Sequence, residues 1–151
     1  MVNPTDVFYM QRAIQLAEAA AVNQEVPVGA VLVLNDQIIG EGSNQPIQTH
    51  DPSAHAEMIA LRRAAEKIKN YRLINTTLYV TLEPCLMCVG AIVHARVKRV
   101  VYGAPDPKTG AVASVFSLGE AKQFNHRVEY QGGVLAEACG ELLKQFFRER
   151  R

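Results

Sequence analysis

Apolar residues recur at helical intervals in the first part of the chain. Val7, Met10, Ile14, Leu16 and Ala21 supply most of one stripe across residues 4–21, and Asn3 or Thr5 stands where a capping oxygen is needed. The spacing predicts an amphipathic helix that covers one face of a sheet. Glu25-Val26-Pro27 ends it. Residues 28–34, Val-Gly-Ala-Val-Leu-Val-Leu, form a short, unbroken, β-branched apolar run, the pattern of a strand buried on both faces. Asn35-Asp36 reads as a turn, and residues 37–41 return as the second strand of a hairpin. Residues 42–53, with Pro46, Pro52 and many polar positions, read as a loop. Helical spacing resumes over residues 54–68, with Met58, Ile59, Leu61, Ala65 and Ile68 inward. Arg62, Arg63, Lys67 and Lys69 lie on the other side, as a solvated face.

The second half alternates in the same way. Residues 76–82 read as a central strand, and Glu83-Pro84 ends it. A helix follows over residues 85–95, with Pro84 suited to its first turn, and then a fourth strand over 97–102. Residues 103–114 are a Gly/Pro/Ala-rich loop of the kind that builds binding sites as often as it merely connects. A short last strand is expected at 125–130, broken by Gly132-Gly133. A final helix over 134–148 carries Val134, Leu135, Ala138, Leu142, Leu143 and Phe146 on its apolar face, with Cys139 packed as a small hydrophobe. Such alternation predicts an α/β layered domain around one mixed sheet. A chain of 151 residues is long enough for one domain, 1–151, with a substantial core.

Composition narrows the function classes. Net charge is only +1, so any nucleic-acid contact must come from a local patch. Three cysteines, two of them close together, make no disulfide framework and suit a reducing cytosol. The chain shows no basic-then-apolar leader and no apolar run of membrane-spanning length.

Two short stretches carry candidate chemistry: His55-Ala56-Glu57 and Pro84-Cys85-Leu86-Met87-Cys88. Cysteines three apart at a helix start share one face, and the partial positive charge there favours the thiolate, the metal-binding form. Two thiolates and one imidazole are three ligands, the number a catalytic zinc site uses while keeping a position for water. Glu57, two residues from His55, points away from the ligand face and stands beside a metal rather than on it. A carboxylate there is placed for proton transfer. Either motif alone is common: a C-x-x-C is often two buried cysteines or a redox pair. In this order, H-x-E and then P-C-x-x-C, they form the signature of zinc-dependent nucleobase deaminases. The motifs are expected to start two adjacent helices that converge at one edge of the sheet. Other residues have two readings. Asn44 suits a turn or a ligand contact. His50 reads as a surface histidine, and His94 as a capping or core histidine. The terminal Phe146-Phe147-Arg148-Glu149-Arg150-Arg151 suits RNA, with cations for phosphate and a ring for stacking, and equally a helix end complementing its dipole.

At these residues the chain resembles the cytidine/deoxycytidylate deaminase superfamily, and within it the bacterial tRNA-editing adenosine deaminases. The matching segments are Glu25 to Val31 (EVPVGAV), Asp51 to Glu57 (DPSAHAE), Tyr79 to Cys88 (YVTLEPCLMC), Asp106-Pro107-Lys108-Thr109-Gly110 and the terminal Phe-Phe-Arg segment. The resemblance implies a three-layer cytidine-deaminase-like domain with a mixed five-stranded sheet flanked by helices. It implies conversion of the wobble adenosine of a tRNA anticodon, usually tRNA-Arg, to inosine. It further implies a cytoplasmic homodimer with active sites near the subunit interface, and one zinc per subunit held by His55, Cys85 and Cys88. The nucleophile would be zinc-bound hydroxide, with Glu57 as the proton shuttle. Asn44 would hydrogen-bond the nucleoside, Val26, Pro27 and Ala56 would line the base pocket, and Asp106 and Phe147 would touch flanking nucleotides. Arg148, Arg150 and Arg151 would form an RNA-binding tail on the anticodon stem-loop. Pro105 and Ala113 depart from the arginine and glycine frequent at those places. Two rivals share the motifs: a deaminase of free bases or nucleosides, and a zinc-stabilised RNA-binding module without turnover.

Overall fold

A computed structural model describes residues 3–150; Arg151, expected in the basic tail, lies outside the described residues. Helix α1 (Pro4–Val22) leads into the hairpin β1 (Gly29–Leu34) and β2 (Gln37–Ser43). A short α2 (Pro46–Thr49) precedes α3 (Ala56–Ile68), β3 (Thr77–Leu82), α4 (Leu86–His94) and β4 (Arg99–Ala104). After a 3₁₀ turn at Leu118–Glu120 come β5 (Glu129–Gln131) and α5 (Ala136–Arg148). The strands form one sheet in the order β2-β1-β3-β4-β5. β1 runs antiparallel to both its neighbours, whereas β3, β4 and β5 are mutually parallel. The sheet is therefore mixed and five-stranded, as the resemblance implies.

Alternate side chains of the central strands feed two cores. Ala30, Leu32, Leu78, Val80, Val100 and Tyr102 pack with Ala56, Ala60, Ala64, Val89 and Ile92 of α3 and α4. Val31, Val33, Tyr79 and Val101 pack with Tyr9, Met10 and Ala13 of α1 and with Val134 and Cys139 at the start of α5. Helices thus cover both faces, which is why β1 and β3 read as continuous apolar runs. α3 lies close on β2 because Gly42 leaves room: a Cβ there would collide with the Ala56 carbonyl. This contact sets how near the start of α3 comes to the sheet.

Several boundaries differ from the expectation. The fully buried face of α1 is Asp6, Tyr9, Met10, Ala13, Ala17 and Ala20, the small alanines letting the helix sit down on β1. Of the expected stripe Met10 is on it, while Val7, Ile14 and Leu16 flank it half-buried against the same core. Asn3, rather than Thr5, caps it: its Oδ1 accepts from the Thr5 amide at 2.8 Å. α3 begins at Ala56 with His55 as its N-cap. α4 begins at Leu86 with Cys85 as its N-cap, so Pro84 stands before the cap and outside the first turn. The expected strand at 125–130 shrinks to Glu129–Gln131, while His126 points its ring at the Val97 carbonyl at 2.7 Å. His94 is exposed in the last turn of α4, which leaves the helix-end role rather than the core one. Arg62, Arg63, Lys67 and Lys69 are exposed, as a solvated face requires.

One buried carboxylate ties the layers together. Asp6, 1% exposed, accepts from Arg99 Nη1 at 2.8 Å and Nη2 at 2.7 Å and from the Tyr79 hydroxyl at 2.9 Å. The Arg99 guanidinium first, outweighing burial, and then Tyr79 hold the Asp6 carboxyl below the ordinary carboxylate range. A carboxyl lowered on folding stabilises the protein above its unfolded pKa, and the contribution disappears as pH falls through the folded value. Arg99→Met leaves a buried, unpaired charge and is expected to cost about 3 kcal/mol near neutral pH. Urea unfolding should show that deficit shrink on acidification, since protonating Asp6 removes what the wild type gains and the variant suffers.

Candidate active site

The two motifs meet where β1 begins and β3 ends, in the middle of the sheet rather than at an edge strand, because antiparallel neighbours place those termini together. His55 and Cys85 are the N-caps of α3 and α4, yet neither side chain caps its own helix. Each is turned toward the other. The His55 Nδ1 lies 3.5 Å from the Cys85 Sγ and 3.6 Å from the Cys88 Sγ. All three ligand atoms lie within 4.8 Å of one another, the one such group among the described residues. A tetrahedral centre with bonds of about 2.1 Å to nitrogen and 2.3 Å to sulfur separates such ligands by about 3.5 Å, so the donor set fits zinc in kind and spacing. The α3 N-terminus draws its cap from outside. Asn44 Oδ1 accepts from the Ala56 amide at 2.8 Å, which fixes the His55-Ala56-Glu57 backbone.

Proton affinities diverge across this cluster. The Cys85 thiol is drawn down to about 4, first by the Cys88 S–H that donates to it and then by His55. Cys88 is pushed up, as that donor and by burial. His55 is raised, chiefly by its hydrogen bond to Cys85. Glu57 is 4% exposed and has no cationic side chain of lysine or arginine bonded to it; burial pushes its carboxyl up to about 7. A carboxyl with that proton affinity accepts and releases a proton near neutrality.

A cavity of about 620 Å³ opens beside the cluster, walled by Val26 and Leu82, the loop after β4 with Asp106 and Lys108, and the end of α5 with Phe147 and Arg148. The three candidate ligands are not part of its lining, which comes nearest to them in sequence at Leu82, three positions before Cys85. Of the expected substrate residues, Val26, Asp106, Phe147 and Arg148 therefore share one wall system, with Phe147 50% exposed. Pro27 and Ala56 are buried, and Asn44 is half-buried at the start of α3. The Asp106 carboxylate is already engaged in its own turn: it accepts from the Lys108 and Thr109 amides at 3.0 and 3.2 Å and the Thr109 hydroxyl at 2.6 Å. Arg150 also turns inward, to Gln24 and Phe146. His50 is exposed at the end of α2.

Two organising carboxylates were missed in the sequence. Glu83, read as a strand terminator, is 2% exposed and accepts from the amides of Asp106, Val112, Ala113 and Ser114 at 2.8–3.1 Å, and from the Ser114 hydroxyl. Burial raises its carboxyl, but the Ser114 hydroxyl and these amides outweigh it and hold it below the ordinary range. The loop that walls the cavity is thus wrapped around one side chain. The Ala113 departure leaves this intact, because the contact is made by its amide. Glu25, 1% exposed, accepts from the Ile47 and Gln48 amides at 3.3 and 2.9 Å and so caps α2. No local pattern marks either role: the donors come more than twenty positions later.

Known proteins place this site in a class. The MafB19-like deaminase family matches residues 5–151. The tRNA-specific adenosine deaminase of Haemophilus influenzae is 55% identical over 143 residues, covering 94% of this chain and 83% of its own. That of Bacillus subtilis is 47% identical over 146 residues, covering 97% and 91%. A solved structure from studies of A-to-I editing by tRNA:A34 deaminases at the wobble position of transfer RNA superposes with a TM-score of 0.87 at 40% identity, covering 90% of this chain and 99% of that one. The fold is the cytidine-deaminase-like one, and the protein is a deaminase. Within that class, the chain belongs to the tRNA-specific adenosine deaminase family.

Glu83→Ala strips several buried amides of their acceptor and is expected to lower stability by about 3 kcal/mol. Limited proteolysis should then cut within residues 105–114 before the rest of the fold opens.

Proposed function

We propose that this chain, acting as a single deaminase domain, converts the wobble adenosine of a tRNA anticodon stem-loop, tRNA-Arg above all, to inosine. The observation that carries the reading is a buried carboxyl, Glu57, with its proton affinity near neutrality beside an open three-donor cluster. The family supports the substrate: its relatives are named for tRNA adenosine.

His55, Cys85 and Cys88 would hold one zinc per subunit, which when bound lowers the pKa of a coordinated water toward neutrality. Glu57 takes a proton from the attacking water through a carboxylate oxygen and gives it to the purine N1 as the C6–O bond forms. The carboxylate then takes the remaining proton from the hydroxyl on C6 and passes it to the amine, so that the C6–N bond breaks as C6=O forms and ammonia leaves. Asn44 Nδ2 donates to the nucleoside while its Oδ1 remains on the Ala56 amide. Val26, Pro27 and Ala56 bound the base, which must be splayed from its loop to enter. Phe147 stacks on a flanking base, and the Asp106 turn packs against the neighbouring nucleotide. Arg148, beside Lys108 and Lys144 on the same cavity, faces phosphate. Arg151 would extend that basic end.

A cytoplasmic homodimer is part of this reading. Leu86 and Met87 are 55% and 36% exposed in the first turn of α4, beside the cluster, where a second copy would cover them. No described helix is long and apolar enough to cross a membrane.

The test is inosine formation in an anticodon stem-loop of tRNA-Arg, with free adenosine, cytidine and guanine run alongside. Turnover of the stem-loop alone is expected. Turnover of a free base with none on RNA would replace the substrate assignment and keep the deaminase. Glu57→Ala should retain metal, measured by elemental analysis, and lose on the order of a thousandfold in kcat. Parallel loss of metal and activity would make Glu57 a ligand instead.

A further inference from the structure

We propose that Arg150 is a positioning residue that braces the two walls of the cavity against each other, and not a phosphate contact. The inference rests on the RNA reading above. Both terminal nitrogens of its guanidinium are already engaged within the chain. Nη1 donates to the Phe146 carbonyl at 3.0 Å and Nη2 to Gln24 Oε1 at 2.6 Å, across 126 positions of sequence. The guanidinium carbon lies 3.5 Å from the centroid of the Phe146 ring. Phe146 is buried, and its ring meets Phe147 edge-on at 5.4 Å.

Gln24 is as well placed at the other end. It has φ 65°, a left-handed turn that ends α1, so its backbone is fixed by more than its own preference. The next residues are Glu25, which holds the amides of α2, and Val26, which walls the cavity. The Arg150–Gln24 bond therefore joins the segment carrying Phe147 and Arg148 to the segment carrying Val26. Charge separates the two arginines further. Arg148 shares the large cavity with Lys108 and Lys144, whereas Arg150 lines a smaller one, of about 180 Å³, with Glu18 and Glu149. An RNA phosphate is drawn to the first and repelled from the second.

The experiment is steady-state deamination of the stem-loop over a range of salt, with Arg150→Ala, Arg150→Lys, Gln24→Ala, the Gln24→Ala/Arg150→Ala pair and Arg148→Ala. If Arg150 braces the walls, Arg150→Ala and Gln24→Ala each raise KM on the order of tenfold with kcat kept. The double variant is no worse than Arg150→Ala alone, because the bond that Gln24→Ala removes is already lost there. The salt dependence stays that of the wild type, whereas Arg148→Ala lowers its slope by about one. Arg150→Lys keeps the charge, loses the fork and behaves like Arg150→Ala. A reduced slope in Arg150→Ala, with Gln24→Ala silent and Arg150→Lys active as wild type, would make Arg150 a phosphate contact and overturn the proposal. Amide exchange in the last turn of α5, read without RNA, should quicken in both single alanine variants; unchanged exchange in both also overturns it. Failure of the wild type on the stem-loop would count against the substrate reading alone, and the exchange measurement would still decide the brace.

Discussion

A helix N-terminus presents unpaired N–H groups and partial positive charge, and a protein normally covers it with a side-chain oxygen from the N-cap residue. Here the two motif-bearing helices begin with residues that do not do so. His55 and Cys85 hold the cap positions of α3 and α4, but their side chains face each other and Cys88. The ligand cluster exists because these caps are given up. A missing cap costs about 1 kcal/mol per helix, and in α3 Asn44 offsets it by reaching the Ala56 amide from the preceding loop. The same hydrogen bond that stabilises the helix therefore orients the imidazole and the carboxylate of Glu57. Mixed sheet topology does the rest, since only antiparallel β1 and β3 bring the Val26 segment to the end of the sheet where α4 starts.

Four buried acids show how environment assigns roles to one functional group. Asp6 is met by a guanidinium and a phenol, Glu83 by four amides and a hydroxyl, and Glu25 by two amides at a helix start. Each is structural, and each spans a long interval of sequence. Glu57 is as buried as the others, but burial dominates its proton affinity. It is thus poised to change protonation near neutrality, whereas Asp6 and Glu83 are held below the ordinary carboxylate range. The contrast separates general acid–base chemistry from scaffold without appeal to sequence motif.

What could be read in the sequence follows from range. The strands, the two motif-bearing helices and the ligand set were legible because periodicity, breakers and C-x-x-C spacing are local. The α1 face was legible only at its flank, through Val7, Met10, Ile14 and Leu16, because alanine carries little weight in an apolar stripe, although Ala13, Ala17 and Ala20 are what allow close approach to β1. The last strand was placed too early because pairing with β4 begins only at Glu129, while His126 before it is held through its ring at the Val97 carbonyl. Glu83 and Glu25 were opaque for the opposite reason: their partners are backbone amides, which every residue has.

The cavity shows the same division. Its chemistry-bearing residues are recognisable one by one, yet none of them reveals that the wall after β4 is wound on Glu83 or that the α5 wall is pinned to the α1 turn. A groove for a single-stranded nucleic acid must hold aromatic and cationic groups at fixed separations while its own loops stay exposed to water. Exposed loops lack apolar contacts to fix them, so buried polar anchors take over, each gaining geometry from directional hydrogen bonds that packing alone does not supply. Glu83 and Glu25 are two such buried anchors, and Arg150, at the surface, ties the α5 segment to the α1 turn through Gln24. The three-donor cluster and Glu57 come from motifs local in sequence and the cavity walls do not, which is why the first was legible and the second had to be seen folded.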